Sequence, residues 1–349
     1  MAKIKTVFGW FVRVGTGILI IAFLMLGPFT FMPSLLNSQA NINRVDSYRY
    51  QGILELWHIE TFEGGSASRS GFLERQAVAF EKENKGTYIV VKTMTIEQFI
   101  LNLQNNLKPN MLSFGIGVED SFVDDLCKLD FEMTVRSDIL QGGKFNNELL
   151  AMPYILGGYA FITQNNVQDT TICKTGTGAV GSTNPFKACA SEDIKVSFAD
   201  NINFDTYNTY DKYLKGCYDN LLGTQRDVYR ISNRVNKGML SNVNYKFLSG
   251  YTDLVQYISI FKTTELEQEI CKDFVKKLVS DEVQNKLANI NLFSVLQNKK
   301  LYTDDIFGIM ENCLNKTLQT ENVFLNQSVI NAEKSKYFEM VGAKWTHTN

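Results

Sequence analysis

The sequence predicts an α/β protein built on a parallel sheet, because strand-like and helix-like segments alternate early in the chain. Three short apolar runs have the length and β-branched content of strands: 53–57, 87–94 and 111–114. Two segments between them repeat apolar residues at helical spacing, and Gly86 and Pro109 follow them as stop signals. Strands that alternate with helices pair in parallel through right-handed crossovers, so this order predicts a parallel sheet.

The rest of the chain continues with mixed elements and shows no internal repeat. Residues 149–164 are typical of a strand interrupted by Pro153 and by the pair Gly157-Gly158. Further segments are expected as a partial helix at 201–222, a strand, turn and helix at 221–230, a strand at 250–261, and helices at 270–287, 304–318 and 320–337.

Composition and motifs exclude several classes of function. A chain of 349 residues can form two domains, and its net charge of −2 does not supply the basic face of a nucleic-acid-binding protein. Gly64-Gly65-Ser66 lacks the lysine of a phosphate-binding loop, and Gly115-x-Gly117 lacks the third glycine of a dinucleotide fingerprint. The sequence therefore predicts no cofactor, and two histidines with no paired cysteines at zinc spacing predict no metal site.

The N-terminus predicts a membrane anchor. Residues 1–13 carry Lys3, Lys5 and Arg13, and the uncharged run 14–32 has 19 residues. As a helix this run rises about 28 Å, enough to cross a hydrocarbon core of about 30 Å. Positive charge before the run places 1–13 in the cytoplasm, with 33–48 as a tether and the remainder outside the cell membrane. A cleaved signal peptide ending at Ser38-Gln39-Ala40 is the alternative, in which case the chain is secreted.

An exported chain with six cysteines can form disulfides. Cys173 and Cys189 bracket a loop rich in glycine, threonine, serine and asparagine, which makes them the expected pair. Cys271 and Cys313 lie in helix-like segments and are expected as small buried apolar residues.

Candidate binding residues lie where predicted strands end, since ligands of parallel sheets bind beyond the carboxyl ends of the strands. The aromatic, carboxylate, amide and guanidinium groups there suit a sugar, whose apolar face stacks on rings and whose hydroxyls take polar partners. The candidates are Trp57, Glu60, Ser113, Gly115, Tyr154, Gly158, Tyr159, Thr224, Gln225, Arg226, Tyr251 and Asp253. Glu60 and Glu63 could instead be a carboxylate pair for glycoside hydrolysis, and His58 could simply fill a strand end.

The sequence resembles the extracellular solute-binding proteins of bacterial ABC importers, in particular the carbohydrate-binding group. The resemblance covers roughly residues 50–300 and rests on the order and spacing of several stretches. These are a strand ending in Trp57 followed by FLE…AFEKE…G (72–86), then KPNMLSFGIG, AMPYILGGYAFITQ and FVKKLVSDEVQNKLANINLFSV (274–295). The family's lipidated cysteine is missing after the apolar run.

The resemblance implies a type II periplasmic-binding-protein-like fold, with two α/β lobes, a multi-segment hinge and a solute between them. Lobe 1 would hold 49–155 and 252–292, and lobe 2 would hold 158–248 and 296–349. Crossings would fall near Leu156-Gly157, Gly250-Tyr251 and Phe293-Ser294. The implied function is capture of a sugar or related polar solute and delivery to separate ABC permease subunits, without enzymatic chemistry. A membrane-anchored solute sensor and an anchored carbohydrate-active enzyme are the alternatives.

Overall fold

The computed structural model describes Thr16 and residues 50–62, 64–132, 134–163, 174–178, 181–198, 206–303, 305–316 and 318–341. The chain divides into the units Met1–Arg49 and Tyr50–Asn349, and every described residue except Thr16 belongs to the second unit. The predicted segments 1–13, 14–32 and 33–48 lie outside the described residues apart from Thr16. Within the described part of the chain, no helix has the length and apolar character needed to cross a bilayer.

Twelve strands and ten α-helices carry the described fold. The strands are β1 (Gly52–Ile59), β2 (Thr87–Met94), β3 (Met111–Phe114), β4 (Lys144–Phe145), β5 (Glu148–Leu149), β6 (Met152–Leu156), β7 (Tyr159–Thr163), β8 (Lys174–Thr177), β9 (Ser197–Phe198), β10 (Asn220–Thr224), β11 (Asn244–Phe247) and β12 (Val255–Ile260). The helices are α1 (Arg69–Glu83), α2 (Ile96–Gln104), α3 (Ser137–Leu140), α4 (Pro185–Ala190), α5 (Thr206–Leu214), α6 (Gln225–Asn236), α7 (Glu265–Leu278), α8 (Asp281–Asn285), α9 (Ile306–Leu314) and α10 (Gln327–Met340).

The first lobe is a five-stranded sheet in the order β2-β1-β3-β12-β6, with helices on both faces. β1 pairs in parallel with β2 and β3, as the sequence predicts, whereas β12 is antiparallel to both of its neighbours. Thr95 and Thr264 start α2 and α7 with capping boxes, which satisfy free N–H groups at each helix start. Phe80 of α1 packs edge-on against Phe274 of α7 at 5.3 Å on one face.

The second lobe is a five-stranded sheet in the order β11-β7-β10-β8-β9. β7 runs antiparallel to both β10 and β11, and β8 runs parallel to β10 and β9. α10 packs on this lobe through Phe338, which meets Phe186 of α4 edge-on at 4.9 Å. The two sheets are therefore separate layers, each covered by its own helices, and together they make two α/β lobes.

The chain passes between the sheets at several points. Gly157 and Gly158 separate β6 of the first sheet from β7 of the second, and 248–254 lead back from β11 to β12. Thr252 Oγ1 donates to the carbonyl of Gly157 at 3.0 Å, which ties these two connections together. A third connection follows residue 290, where Phe293 exchanges backbone hydrogen bonds of 2.9 and 3.0 Å with Leu156.

The C-terminal segment departs from the domain boundaries that the resemblance implied. Residues 318–325 were expected in lobe 2 and partly helical, yet they form no helix and contact lobe 1. The Val323 N–H donates to the carbonyl of Gly142 at 2.8 Å, and Phe324 packs within 5.8 Å of both Phe114 and Phe145. This segment therefore contacts lobe 1, and the lobe boundaries as a whole stay a prediction.

Candidate functional site between the lobes

The loop that follows β1 and the start of α6 bring the two lobes together. Fully buried Gln225 accepts a hydrogen bond from the Gly158 N–H at 3.0 Å, and its own N–H donates to the Gly158 carbonyl at 3.1 Å. Its side-chain amide also donates to the carbonyl of Gly64 in the β1 loop at 3.3 Å. Gln225 therefore joins the second lobe both to the β6–β7 connection and to the first lobe.

Helix α6 begins at this junction because Thr224 and Asp227 form a capping box. The Thr224 hydroxyl accepts from the Arg226 N–H at 3.3 Å, and the Asp227 carboxylate accepts from the Thr224 N–H at 3.0 Å. Cap formation uses the polar atoms of Thr224, a buried residue, so this threonine positions the helix start. Arg226, two residues further along the chain, remains partly exposed.

Glu60 follows β1 of the first lobe, and Arg226 lies in α6 of the second. The Glu60 side chain keeps 47% of its surface exposed, and the other candidates besides Arg226 are buried. The pKa of Glu60 is lowered mainly by the facing His58 imidazole, and further by the positive charges of Arg69 and Arg226. The structure therefore places one carboxylate and one guanidinium within electrostatic reach across the gap.

A buried polar network lies beneath Glu60 at the carboxyl ends of β1 and β3. Ser113 Oγ lies 2.9 Å from His58 Nδ1 and 2.7 Å from the Tyr154 hydroxyl, and it accepts from Gln256 Nε2 at 3.0 Å. Arg69 donates to Gln256 Oε1 at 2.7 Å and to the Phe62 carbonyl, with its guanidinium 4.0 Å from the centre of the Phe62 ring. Ser113 and Tyr154 are therefore buried partners of His58 at the end of β1 and do not face the gap between the lobes.

Trp57 does not occupy the position expected of a sugar-stacking ring. Its side chain is 4% exposed, packs edge-on against Phe99 at 6.1 Å, and donates from Nε1 to Glu55 at 3.0 Å. Phe99 and Glu55 both belong to lobe 1, so closure of the lobes is not the cause of this burial. Trp57 is a core residue of the first lobe, and its ring face is not free to stack on a solute.

Tyr159, Tyr251 and Asp253 lie in a second polar cluster, where the 248–254 connection meets lobe 2. Asp253 accepts from the Tyr159 hydroxyl at 2.5 Å and from the Asn184 N–H at 2.6 Å. Burial raises the pKa of Asp253 despite these donors. The Tyr251 hydroxyl donates to Glu321 at 3.1 Å, and burial raises its pKa.

Three charged residues that the sequence analysis missed complete this cluster. Lys187 forms an ion pair with Glu321, and its ammonium lies 5.1 Å from the centre of the Tyr251 ring. Lys334 is 2% exposed and donates to the Gly181 carbonyl, and burial lowers its pKa to about 8. The dipeptide Asn184-Pro185, an N-cap followed by proline at the first helical position, is the one sequence signal that could have located this region.

A small cavity opens inside this second cluster. Its walls include Ile116 of the first lobe and Asn184, Asp253 and Glu321. The volume open to a water-sized sphere is about 10 Å³, which corresponds to about one water molecule. Asp253 and Tyr251 thus enclose space for a water here and none for a pyranose.

Gly115 and Gly158 allow close backbone approach. A Cβ on Gly115 would lie 2.2 Å from Thr61 Oγ1, and one on Gly158 would lie 2.9 Å from both δ-carbons of Leu314. A side chain at either position would therefore require neighbouring side chains to move.

Two of the remaining predictions involve residues that the structure does not describe. Glu63 and Cys173 lie outside the described residues, so the carboxylate pair and the disulfide stay predictions. Cys189 is buried, and burial raises the pKa of its thiol. In the described ranges, no group of three or more His, Cys, Asp or Glu side chains could hold a metal ion.

Two α/β lobes joined by several connections, with polar loops meeting between them, define a periplasmic-binding-protein-like fold. Solved structures with this architecture are similar to the chain. The GacH receptor of Streptomyces glaucescens, studied unliganded and with acarbose, has a TM-score of 0.61 at 10% identity, over 84% of this chain and 94% of that one. The sugar-binding protein MalE from Xanthomonas citri has a TM-score of 0.59 at 10% identity, over 83% and 91%.

A substrate-binding protein of an ABC system from Listeria monocytogenes, in complex with cycloalternan, has a TM-score of 0.56 at 10% identity, over 85% and 95%. No family profile and no curated protein matches the sequence. Identities this low establish the fold and leave the activity to be argued from the site.

Proposed function

We propose that this protein captures a sugar or a related polar solute between its two lobes and delivers it to a separate ABC permease. The observation that carries the proposal is the pair Glu60 and Arg226, which come from opposite lobes, keep their side chains partly exposed and interact electrostatically. A carboxylate accepts hydrogen bonds from sugar hydroxyls, and a guanidinium donates to sugar oxygens. A solute that contacts both would favour the closed arrangement of the lobes.

The similar structures support a saccharide as the solute. They include proteins in complex with acarbose and with cycloalternan, and a sugar-binding MalE. They are binding proteins, so they lend no support to the alternatives of an anchored enzyme or a sensor. The proposed mechanism is therefore binding and release through lobe motion, without covalent chemistry.

The proposed location is the outer side of the cell membrane, where such a protein meets both solute and permease. The apolar run 14–32 with basic residues before it supports a single-pass anchor. A signal peptide cleaved after Ala40 would leave the same folded part outside the membrane, and N-terminal sequencing of the mature protein separates the two.

A thermal-shift screen tests the binding function. The full chain in mild detergent is heated with a panel of maltooligosaccharides, chitooligosaccharides, monosaccharides and polyols. A solute present at 100 times its Kd stabilises the folded form by about 2.7 kcal/mol, which raises Tm by about 4 °C for a protein of this size. Glu60→Gln and Arg226→Gln should each reduce the shift, while Glu74→Gln on the outer side of α1 serves as the matched control. A panel that leaves Tm unmoved contradicts the proposed function.

A further inference from the structure

His58 lies at the point where the buried network meets the gap between the lobes. Its side chain has no solvent exposure, and its Nδ1 lies 2.9 Å from Ser113 Oγ. Its Nε2 has no hydrogen-bond partner within normal distance and lies 3.7 Å from Glu60 Oε1. A fully buried nitrogen aimed at a half-exposed carboxylate raises the question of which ring nitrogen carries the proton.

The hydrogen bonds of Gln256 determine which ring nitrogen of His58 is protonated. Arg69 can only donate hydrogen bonds, so the Gln256 atom that it contacts at 2.7 Å must be the amide oxygen. The amide nitrogen then faces Ser113 at 3.0 Å and the Ile59 carbonyl at 3.2 Å, and donates to both. One acceptor position of Ser113 Oγ is thereby occupied.

The Tyr154 hydroxyl decides the remaining choice. Ser113 Oγ, at 2.7 Å, is its hydrogen-bond partner among the described residues. If Tyr154 donates to Ser113, then Ser113 donates to His58 Nδ1, and the hydroxyl protons of Tyr154 and Ser113 both have acceptors. In the reverse direction the Tyr154 proton has no acceptor, and a lone pair on His58 Nε2 faces the Glu60 carboxylate. The first arrangement leaves the proton of His58 on Nε2.

We propose that His58 is a positioning residue, held by Ser113 and Tyr154 in its Nε2–H tautomer so that this N–H orients the Glu60 carboxylate. The assignment rests on the proposed function only in giving Glu60 a solute to bind. A hydrogen-bonded second partner fixes the tautomer and ring orientation of histidine in many protein sites. Here the same logic operates on a carboxylate at the lobe junction.

The charges around His58 favour its neutral form. Burial lowers the pKa of His58, and the positive charge of Arg69 on α1 lowers it further, whereas Glu60 on its own chain segment opposes both. Ser113 on β3, Tyr154 on β6 and Gln256 on β12 contribute uncharged partners. A neutral imidazole with one defined N–H is therefore the form that meets Glu60 at neutral pH.

Imidazole NMR tests the tautomer directly, because the chain contains only two histidines. Long-range proton–nitrogen correlation of the ¹⁵N-labelled full chain, with His347→Gln for assignment, reports which nitrogen of His58 is protonated. The proposal expects a protonated Nε2 and an unprotonated Nδ1 at pH 7. Protonation at Nδ1, or at both nitrogens, overturns it, and no variant within the network is needed for this result.

Titration of the Glu60 carboxyl tests the positioning role. The carbon-13 signal is followed with pH in the wild type, Ser113→Ala and Ser259→Ala, and is assigned by its loss in Glu60→Gln. Ser259 is the matched control, since it is a buried serine of the same sheet that donates to the Leu150 carbonyl at 2.7 Å. The proposal expects an upward shift of the Glu60 pKa in Ser113→Ala alone, and equal titration in both serine variants overturns it.

A conservative substitution completes the test. His58→Gln keeps an N–H near the position of Nε2 and should retain most of the depressed pKa of Glu60, whereas His58→Leu should lose it. Equal pKa values in these two variants contradict positioning by the N–H. None of these measurements contains a solute, so a failed saccharide screen would count against the proposed function alone.

Discussion

Gly65 lies in the β1 loop where the chain has no room for a side chain, and Gly65→Ala is the most direct test of how that loop is held. A Cβ on Gly65 would lie 1.7 Å from the carbonyl oxygen of Ile290 and 2.9 Å from its carbon. The same oxygen accepts a hydrogen bond from the Ser66 N–H at 2.8 Å. The clash is therefore with the backbone of Ile290, and the hydrogen bond from Ser66 ties that backbone to the β1 loop.

The cost follows from these contacts. Relieving the clash breaks the Ser66–Ile290 hydrogen bond, worth about 1 kcal/mol, and overpacking adds about 1–3 kcal/mol. Gly65→Ala should therefore lower the free energy of unfolding by about 2–4 kcal/mol, which lowers Tm by about 3–6 °C for a chain of this length.

Gly64→Ala is the matched control one residue away. The nearest atoms to a Cβ on Gly64 are the Ala67 carbonyl oxygen and the Arg69 γ-carbon, both at an ordinary 3.5 Å. Its free energy of unfolding should stay within about 0.5 kcal/mol of the wild type. Thermal unfolding of the full chain, followed by circular dichroism, compares the two variants. Equal Tm values for the Gly64 and Gly65 variants would refute the contact between the loop and Ile290.

Two further predictions concern Trp57 and Lys334. Trp57→Phe should lower the free energy of unfolding by about 1 kcal/mol through loss of the bond to Glu55, and leave any saccharide-induced Tm shift unchanged; a lost shift would return Trp57 to the binding site. Because burial lowers the pKa of Lys334 from 10.5 to about 8, the unfolded chain binds its proton more readily between these values. The contribution of Lys334 to the free energy of unfolding should therefore rise between pH 8 and 10.5, by up to about 1.4 kcal/mol per pH unit. Urea unfolding at pH 7.5 and 9.5 should show this rise reduced in Lys334→Met and retained in the exposed control Lys336→Met.

The first lobe was predictable because its pattern is local. The strands expected at 53–57, 87–94 and 111–114 correspond to β1, β2 and β3, and the helical periodicity between them corresponds to α1 and α2. The segment 318–325 was not predictable in this way. Its position depends on Phe324, which meets phenylalanines about 180 to 210 residues earlier in the chain, and no local period encodes such contacts.

The site was predictable only in part, for a similar reason. Strand ends and turn residues located Glu60 and Arg226, since position in a parallel sheet follows from element order. Position along a strand does not tell which face of the sheet a side chain meets in the folded lobe, and Trp57 lies against α2 for that reason. Arg69 gave no signal, because its partner Gln256 is 187 residues away.

The place of β12 in the first sheet bears on how the molecule is made. It lies between β3 and β6, although it follows them in the chain by about a hundred residues or more. During synthesis the sheet therefore cannot become continuous until residue 260 has been made. Until then the edges of β3 and β6 lack their strand partner. A chain that completes its sheet this late remains loosely folded for longer after synthesis begins.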